Sequence, residues 1–477
     1  MKPEAPHLRR FFFAGKRVVM VADDLPAAPD LPRPLTAAWG FVFCCRRNPA
    51  YCMYKYKKKG KELMKIIQQD EKVIACIGKD ETNERKIMNM KMIESIQENG
   101  VTDFEVDSEN PRLYSESGLL YGKKKTMPNG ETRLTLIAAP PDKKGTVKVA
   151  YGTEIIAGDA FADSKASKVI LPETITAITP YAFNNCKNLK EVVLSEGLTH
   201  IDECAFRMCP LLDDITIPDT VLDIMSNAFC ESPLRNLKFQ NRPQKCNNRL
   251  KIAYGAFRWC HADEIELPYR LVSLSDNNFV KVRRVVINCY DTSDIEPILN
   301  ALIVRNFVPL NEASDYYDPR CNCALEVCIG GVNVYIPKIM DGYVKGKFLE
   351  NISDAMQLIE KPLNEKLHDL QIYAMDAAET PLDASYDAAM KVYCNTEDRA
   401  IKEKAKKILQ THSQNIIQAF YKSGDVKKLM DYLKLGLHKV EDIEVVMKND
   451  FRTDATDMNA CMLQALESSP CKPKFLL

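Results

Sequence analysis

The pair Ala-Phe recurs five times between Tyr151 and Asn288, at Ala160-Phe161, Ala182-Phe183, Ala205-Phe206, Ala228-Phe229 and Ala256-Phe257. Asn278-Phe279 is a degenerate sixth copy, and the phenylalanines are 22, 23, 23, 28 and 22 residues apart. A fixed period of about 20 to 30 residues is typical of a solenoid, in which each unit buries its apolar face only against its neighbours. The spacing therefore predicts a stack of similar coils over this segment.

Each repeat also carries an apolar-x-apolar triplet, at residues 169–171, 192–194, 215–217, 237–239, 265–267 and 285–287. This alternation predicts one short strand per repeat, with the flanking side chains inward and the middle one outward. Strands stacked in register would form a parallel sheet. A second apolar pair follows most strands and is predicted to fill the interior opposite that sheet: Ile175/Ile178, Leu198/Ile201, Val221/Ile224 and Leu271/Leu274.

A small residue stands three positions after each of the first five phenylalanines: Ser164, Cys186, Cys209, Ser232 and Cys260. The cysteines could be metal ligands or redox thiols. A buried position that repeats with the solenoid is the alternative, because an unpaired cysteine behaves as a small apolar residue. The regular spacing and the serines in two repeats favour the buried position.

The block from Cys186 to Cys209, with Leu189, Val192, Leu194, Leu198, Ile201 and Ala205-Phe206, resembles the BspA-like class of leucine-rich repeats. So does the run from Phe104 through Asn110-Pro111 and Ser117–Tyr121 to Leu136–Pro141. The resemblance covers residues 101–288. It implies a right-handed horseshoe that binds other macromolecules, preceded by a unit that contains a hairpin. Members of the class are mostly cell-surface or secreted adhesion proteins, and the repeat carries no catalytic residues.

The whole chain is expected to have an α+β fold. It would consist of a leucine-rich-repeat solenoid with one short parallel strand per 22–23-residue repeat, followed by a mainly α-helical C-terminal domain. We expect a helical N-terminal cap at 65–100, a leading unit of the solenoid at 101–150 and the repeats at 151–290. A capping helix and a β-hairpin linker are expected at 291–345, and the α-helical domain at 346–477.

Residues 1–64 differ in composition, since they are rich in Arg and Pro where the rest of the chain prefers Lys. Three interpretations stay open: a disordered basic leader, a divergent signal segment, or an extension upstream of the true start at Met53 or Met64. The change in composition favours the third.

The composition limits the class of protein. There are 65 basic and 65 acidic residues, which disfavours a nucleic-acid partner for the chain as a whole. The 17 cysteines are odd in number and lack paired spacings, which favours a reducing compartment. No run of about 18 apolar residues occurs, so no membrane-spanning helix is predicted.

Two regions are candidates for binding a protein partner. The first is the set of outward strand positions Lys168, Ile170, Glu191, Val193, Asp214, Thr216, Lys238, Glu264, Glu266 and Arg284. Their mixed charges suit a protein surface better than a phosphate backbone. The second is the polar insertion 240–249, which contains Arg242 and Lys245 and explains the 28-residue spacing. A tolerated loop insertion is the alternative there.

No arrangement typical of catalysis is present: no phosphate-binding glycine loop, no His-Glu-x-x-His and no nucleophile elbow. The three cysteines Cys321, Cys323 and Cys328 have unsuitable gaps and no neighbouring His for zinc, so neither metal nor cofactor is predicted. We therefore expect a non-enzymatic protein-binding scaffold in the cytoplasm. The alternative is a cell-surface or secreted adhesin of the BspA-like type that binds host or matrix proteins.

Overall fold

The structure is a computed structural model. It describes residues 54–58, 61–79, 96–126, 132–241, 249–288, 292–305, 323–358, 360–380, 382–450 and 452–467. Those residues form a parallel β-solenoid with a repeat of about 22 residues over 134–287, followed by a helical C-terminal region. This is the predicted fold class. The handedness and curvature that the family resemblance implies stay predictions.

A four-stranded sheet precedes the solenoid. Strands β1 (Tyr54–Lys58), β2 (Lys61–Gln69) and β3 (Lys72–Ile77) are antiparallel neighbours, and β4 (Asp103–Val106) pairs in parallel with β3. The expected helix over the first part of 65–100 is therefore wrong, and so is a boundary at residue 64. Ala75 and Ile77 are buried two positions apart, which is the period of a strand. Most of the pattern that suggested a helix falls at 80–95, outside the described residues.

The leading unit contains the expected hairpin. Strand β5 (Leu113–Glu116) pairs antiparallel with β6 (Leu119–Thr126), and β6 pairs antiparallel with β7 (Thr132–Ala138). The sequence Asn129-Gly130 between β6 and β7, which is typical of a turn, lies outside the described residues. Strand β7 then pairs in parallel with β9 (Thr153–Ile156), which begins the regular stack.

Each coil of the stack contributes to two parallel sheets. The first side of the stack, here called the first sheet, contains the predicted triplets in three hydrogen-bonded groups of strands. They are β8 (Gly145–Lys148), β10 (Ala166–Ile170) and β12 (Glu191–Val193), then β14 (Asp214–Ile217) and β16 (Asn236–Phe239), then β18 (Glu264–Leu267) and β20 (Arg284–Ile287). The second is built from shorter strands that follow β9, namely β11 (Ala177–Ile178), β13 (His200–Ile201), β15 (Asp223–Ile224), β17 (Leu250–Ile252) and β19 (Leu271–Leu274). The inward apolar pairs are buried as predicted, but the sequence did not reveal that Ile178, Ile201, Ile224 and the pair Leu271/Leu274 belong to a second sheet.

The six phenylalanines form one continuous stack in the core. Consecutive ring centroids from Phe161 to Phe279 are 4.7, 4.8, 5.0, 5.1 and 5.2 Å apart, and the rings are within 15° of parallel. The spacing matches the 4.7–4.9 Å between hydrogen-bonded strands, so the rings follow the backbone rise from coil to coil. The alanine before each of the first five rings is also buried, because a larger side chain would not fit beside the stack.

The turns around the phenylalanines have a repeated backbone conformation. Residues two before and two after the ring have positive φ in most repeats, and this includes Tyr181, Met208 and Trp259, for which that region is unfavourable. The phenylalanine N–H donates to the neighbouring coil, as from Phe183 to Ala205 O and from Phe206 to Ala228 O, both at 2.7 Å. The turn is thus a third ladder of backbone hydrogen bonds.

The stack does not stop after the sixth repeat. Helix α1 (Ile295–Leu302) buries the predicted apolar face, and β22 (Ala324–Ile329) and β23 (Val332–Pro337) form the predicted hairpin around Gly330-Gly331. However, β22 pairs in parallel with β20, so the hairpin extends the first sheet and is not a linker. Short strands β21 (Val304–Arg305) and β24 (Ile339–Met340) pair beside it.

Eight helices follow in the described part: α2 (Gly342–Gln357), α3 (Leu363–Ala377), α4 (Asp383–Asn395), α5 (Arg399–Thr411), α6 (Ser413–Ser423), α7 (Val426–Lys434), α8 (Val440–Asp450) and α9 (Thr456–Glu467). Aspartates cap the starts of α5 and α7, since Asp398 accepts from Ile401 N at 2.9 Å and Asp425 from Lys428 N at 3.1 Å. Within the described ranges, no helix combines the length and apolar character needed to cross a bilayer.

The strand register generates a test. Leu194 and Ile217 are buried, whereas the residues immediately before them, Val193 and Thr216, are exposed. Leu194→Lys or Ile217→Asp should lower the free energy of unfolding by at least about 3 kcal/mol, because each places an unpaired charge in the core. Val193→Lys and Thr216→Asp are the matched controls and should stay within about 0.5 kcal/mol of the parent. Urea unfolding followed by circular dichroism gives the comparison, and equal tolerance at both pairs would refute the register.

Candidate partner-binding face

The ten described candidate residues lie on the outward side of the first sheet, in two columns. In one column Lys168 faces Glu191, Asp214 faces Asn236, and Glu264 faces Arg284 across paired strands. The other column pairs Ile170 with Val193, Thr216 with Lys238, and Glu266 with Val286. The sequence therefore predicted the shared side correctly. Arg242 and Lys245 lie outside the described residues, and binding by any of these residues stays a prediction.

At each end of this face, neighbouring charged side chains form ion pairs. Lys168 Nζ is 2.6 Å from Glu191 Oε1 at the first end. At the other end Arg284 contacts Glu264 at 2.6 Å and Glu326 at 3.0 Å, and these hydrogen bonds raise the pKa of the guanidinium. Because these pairs are largely exposed, each contributes little to stability. They do hold the side chains in place and leave them less available to a partner.

The middle of the face is different. Val193 is 53% exposed, and Asp214, Thr216 and Lys238 are exposed in the next two strands. Among the described residues, neither Asp214 nor Lys238 forms an ion pair. The centre of the face therefore combines an exposed apolar side chain with one acid and one base that form no ion pair among the described residues. It lies between two ends whose charged side chains are paired.

The hairpin adds a row to the face that the sequence analysis missed. Glu326 and Cys328 of β22 stand beside Arg284 and Val286 in the two columns, where Glu326 is partly exposed and Cys328 is buried. The signal was available, because Leu325-Glu326-Val327 has the same apolar-x-apolar pattern as the repeat triplets. Its distance from the last Phe disguised it, since a helix and a further segment intervene between β20 and β22.

The small residues after each phenylalanine are buried, as expected. Cys186 Sγ donates to Phe161 O at 2.9 Å, Cys209 Sγ to Phe183 O at 3.2 Å, and Ser232 Oγ to Phe206 O at 2.7 Å. Thiol and hydroxyl thus perform the same task in these three coils, so Ser and Cys can replace each other there. Cys260 donates to Leu234 O instead. Over the described ranges, no group of three His, Cys, Asp or Glu side chains could hold a metal ion. Cys321 is outside those ranges.

Burial also suppresses the reactivity of these thiols. A hydrogen bond with Cys209 and burial raise the pKa of Cys186 well above its ordinary value. Desolvation raises the pKa of Cys260 to about 11. Since the thiolate is the reactive form, both side chains stay protonated and inert at neutral pH.

One arrangement on the second sheet superficially resembles a catalytic triad. Thr199 Oγ1 is 2.8 Å from His200 Nδ1, and His200 Nε2 is 3.4 Å from Asp223 Oδ2. The Thr199 hydroxyl donates its proton to Thr176 O at 2.8 Å, so it accepts a hydrogen bond from the imidazole. Such a hydroxyl is not activated as a nucleophile, because no base takes its proton.

The raised pKa of Cys260 predicts a pH dependence. The ordinary thiol pKa is 9.0 and the folded value about 11, so the unfolded chain loses this proton first as the pH rises. Stability from this group is complete below pH 9 and decreases by about 2–3 kcal/mol towards pH 11. Urea unfolding of the parent and Cys260→Ser at pH 8 and pH 10.5 should show the larger alkaline loss in the parent. Parallel pH profiles would contradict the shift.

Comparison with known proteins gives distant structural matches only. No family model matches the sequence, and no curated protein matches it significantly. The pneumococcal vaccine antigen PcpA matches with 21% identity and TM-score 0.33, over 42% of this chain and 47% of PcpA. A leucine-rich repeat protein from Bacteroides capillosus matches with 25% identity and TM-score 0.25, over 27% of this chain and 99% of that one.

A leucine-rich cell surface protein from Faecalibacterium prausnitzii matches with 19% identity and TM-score 0.30, over 42% of this chain and 44% of that one. The present chain thus spans about half the length of two of these three proteins. All three likenesses are distant.

Proposed function

We propose that this chain is a non-enzymatic protein-binding scaffold and that the outward face of the first sheet is its recognition surface. The observation that carries the proposal is the centre of that face, where Val193 is exposed beside the uncommitted Asp214, Thr216 and Lys238. These side chains stand on stacked strands whose inward residues are fully packed. A partner would therefore meet a preorganised surface, and little conformational entropy would be lost on binding.

The charge pattern of the face favours a protein partner over a nucleic acid. Five acids, Glu191, Asp214, Glu264, Glu266 and Glu326, share the two columns with three bases, Lys168, Lys238 and Arg284. Phosphate groups would be repelled over most of this surface, whereas protein interfaces combine apolar contacts with charges of both signs. The non-catalytic part of the proposal rests on the solenoid fold, which presents extended surfaces built from repeats.

A matched pair of valine substitutions tests the face. Val193→Glu adds a charge at its centre, and Val272→Glu makes the same change at a 36%-exposed position of β19 in the second sheet. Proteins captured from a lysate of the source cells by the parent should be lost about tenfold or more with Val193→Glu. Val272→Glu should retain them. If both variants capture the same proteins as the parent, the outward face is not the binding surface.

We further propose a cytoplasmic location. It is supported by the free thiols of ten described cysteines, several of which are buried hydrogen-bond donors that the coils require. The competing function is a cell-surface or secreted adhesin, which would have to fold with these thiols in an oxidising environment.

Protease accessibility separates the two locations. Intact source cells are treated with trypsin and the chain is followed by immunoblot, with lysed cells as the control. A cytoplasmic protein should survive before lysis and be cleaved after it. Cleavage on intact cells would place the repeats outside and favour the adhesin.

A further inference from the structure

Every coil of the solenoid relies on its neighbour for hydrogen bonds, so the last coil needs a substitute. In the first half of the stack, the carbonyl of a phenylalanine accepts from the small residue of the next coil, as Phe206 O does from Ser232 Oγ at 2.7 Å. In the fifth coil Cys260 donates to Leu234 O instead. The sixth ring has no following Ala-Phe coil. Its carbonyl, Phe279 O, accepts instead from Lys338 Nζ at 3.3 Å, and the same ammonium donates to Val282 O.

Lys338 is fully buried, which is unusual for a lysine. A buried ammonium is strongly unfavourable unless hydrogen-bond acceptors surround it. The carbonyls of Phe279 and Val282 at the end of the stack are such acceptors, and Phe279 O is equivalent to the carbonyls that accept from the next coil at Phe161, Phe183 and Phe206. Lys338 therefore replaces the missing neighbour at the turn.

At the free edge of the first sheet, a side chain again takes the place of a missing hydrogen-bond partner. Strand β23 is the last in its sheet, and the backbone of Tyr335 points away from β22. The Gln371 amide of α3 accepts from Tyr335 N at 2.9 Å and donates to Tyr335 O at 3.0 Å. One side chain thus makes the two hydrogen bonds that a further strand would make. Pro337, two residues on and on the same edge, has no N–H to offer.

Further buried polar side chains fix the helices that carry these groups. Asp387 of α4 accepts from Ala324 N at 2.7 Å, and Lys345 of α2 donates to Asn300 O at 2.6 Å and Ile303 O at 2.7 Å. Lys366 of α3 donates to Met356 O at 2.8 Å and to Thr292 Oγ1 at 3.0 Å. Two of these lysines meet carbonyls at the C-terminal ends of α1 and α2, where positive charge is favourable.

We propose that residues 323–395 are the C-terminal cap of the solenoid and that this cap prevents a second copy of the chain from pairing with the edge of β23. Lys338 completes the last turn, and Gln371 covers the edge. An uncovered strand edge is a template for another strand, and the same strand in a second copy is the partner that is always present. This role is independent of the binding function proposed above.

The test removes the edge hydrogen bonds in the full chain. Gln371→Leu keeps the side-chain volume but withdraws the donor and the acceptor from Tyr335. Sedimentation velocity over a hundredfold concentration range should show self-association of Gln371→Leu that the parent does not show. Hydrogen exchange of the peptide containing Tyr335 should be about tenfold faster in dilute variant than in the parent. Gln410→Leu, at an exposed position of α5, is the control for added apolar surface and should match the parent.

A second substitution distinguishes edge pairing from general loosening. Asn333 is exposed and lies on the same edge of β23, so Asn333→Lys places there a charge that discourages strand pairing. The double variant Gln371→Leu/Asn333→Lys should return to the sedimentation behaviour of the parent. Self-association that persists in the double variant would overturn edge pairing, and so would a Gln371→Leu chain indistinguishable from the parent. If Gln371→Leu does not fold, Gln371→Asn, whose amide is one methylene shorter, serves in its place.

Lys338→Met tests the other half of the cap. It should accelerate hydrogen exchange in the turn around Phe279, while the equivalent turn around Phe206 keeps the exchange rate of the parent. Unchanged exchange at Phe279 would show that the ammonium does not complete the last turn.

Discussion

No coil of this solenoid can satisfy its own backbone or bury its own side chains, and the rest of the structure depends on that constraint. The neighbouring coil supplies the sheet partners, the turn hydrogen bonds and the other face of each phenylalanine ring. All three must keep a common rise of about 4.8 Å per coil. In-register stacking is therefore required, and it explains why alanine, phenylalanine and a small donor return at almost the same interval.

The same constraint separates the inward residues from the outward ones. Inward positions such as Leu194 and Ile217 are limited to side chains that fit between two coils. Outward positions have no such limit, so their side chains can vary without disturbing the stack. The ion pairs at both ends of the outward face and the uncommitted residues at its centre are a consequence of that freedom. A rigid support with variable side chains is a suitable basis for recognising a partner.

A stack also has ends, and the chain closes one of them with side chains in place of backbone. In the degenerate sixth repeat, Asn278 Oδ1 accepts from Phe257 N at 2.9 Å, where earlier repeats use the carbonyl of an alanine. Beyond the last coil, the side chains of Lys338 and Gln371 likewise supply hydrogen bonds that no further coil can supply. The helices are consequently connected to the solenoid through hydrogen bonds to its backbone, and the helical region and the repeats are closely joined.

The sequence by itself determined the repeat, the strand register and the buried donor position. These follow from residues close together in the chain, and a side-chain period of two or about 22 can be read directly from their order. Tertiary structure alone decided the rest. Residues 72–77 form a strand that pairs with β2 on one side and with β4, far along the chain, on the other. The hairpin joined the sheet because β20 offered an unpaired edge, and Gln371 acquired its role through an edge 36 residues away. Such partners are selected by packing in space, which no local pattern records.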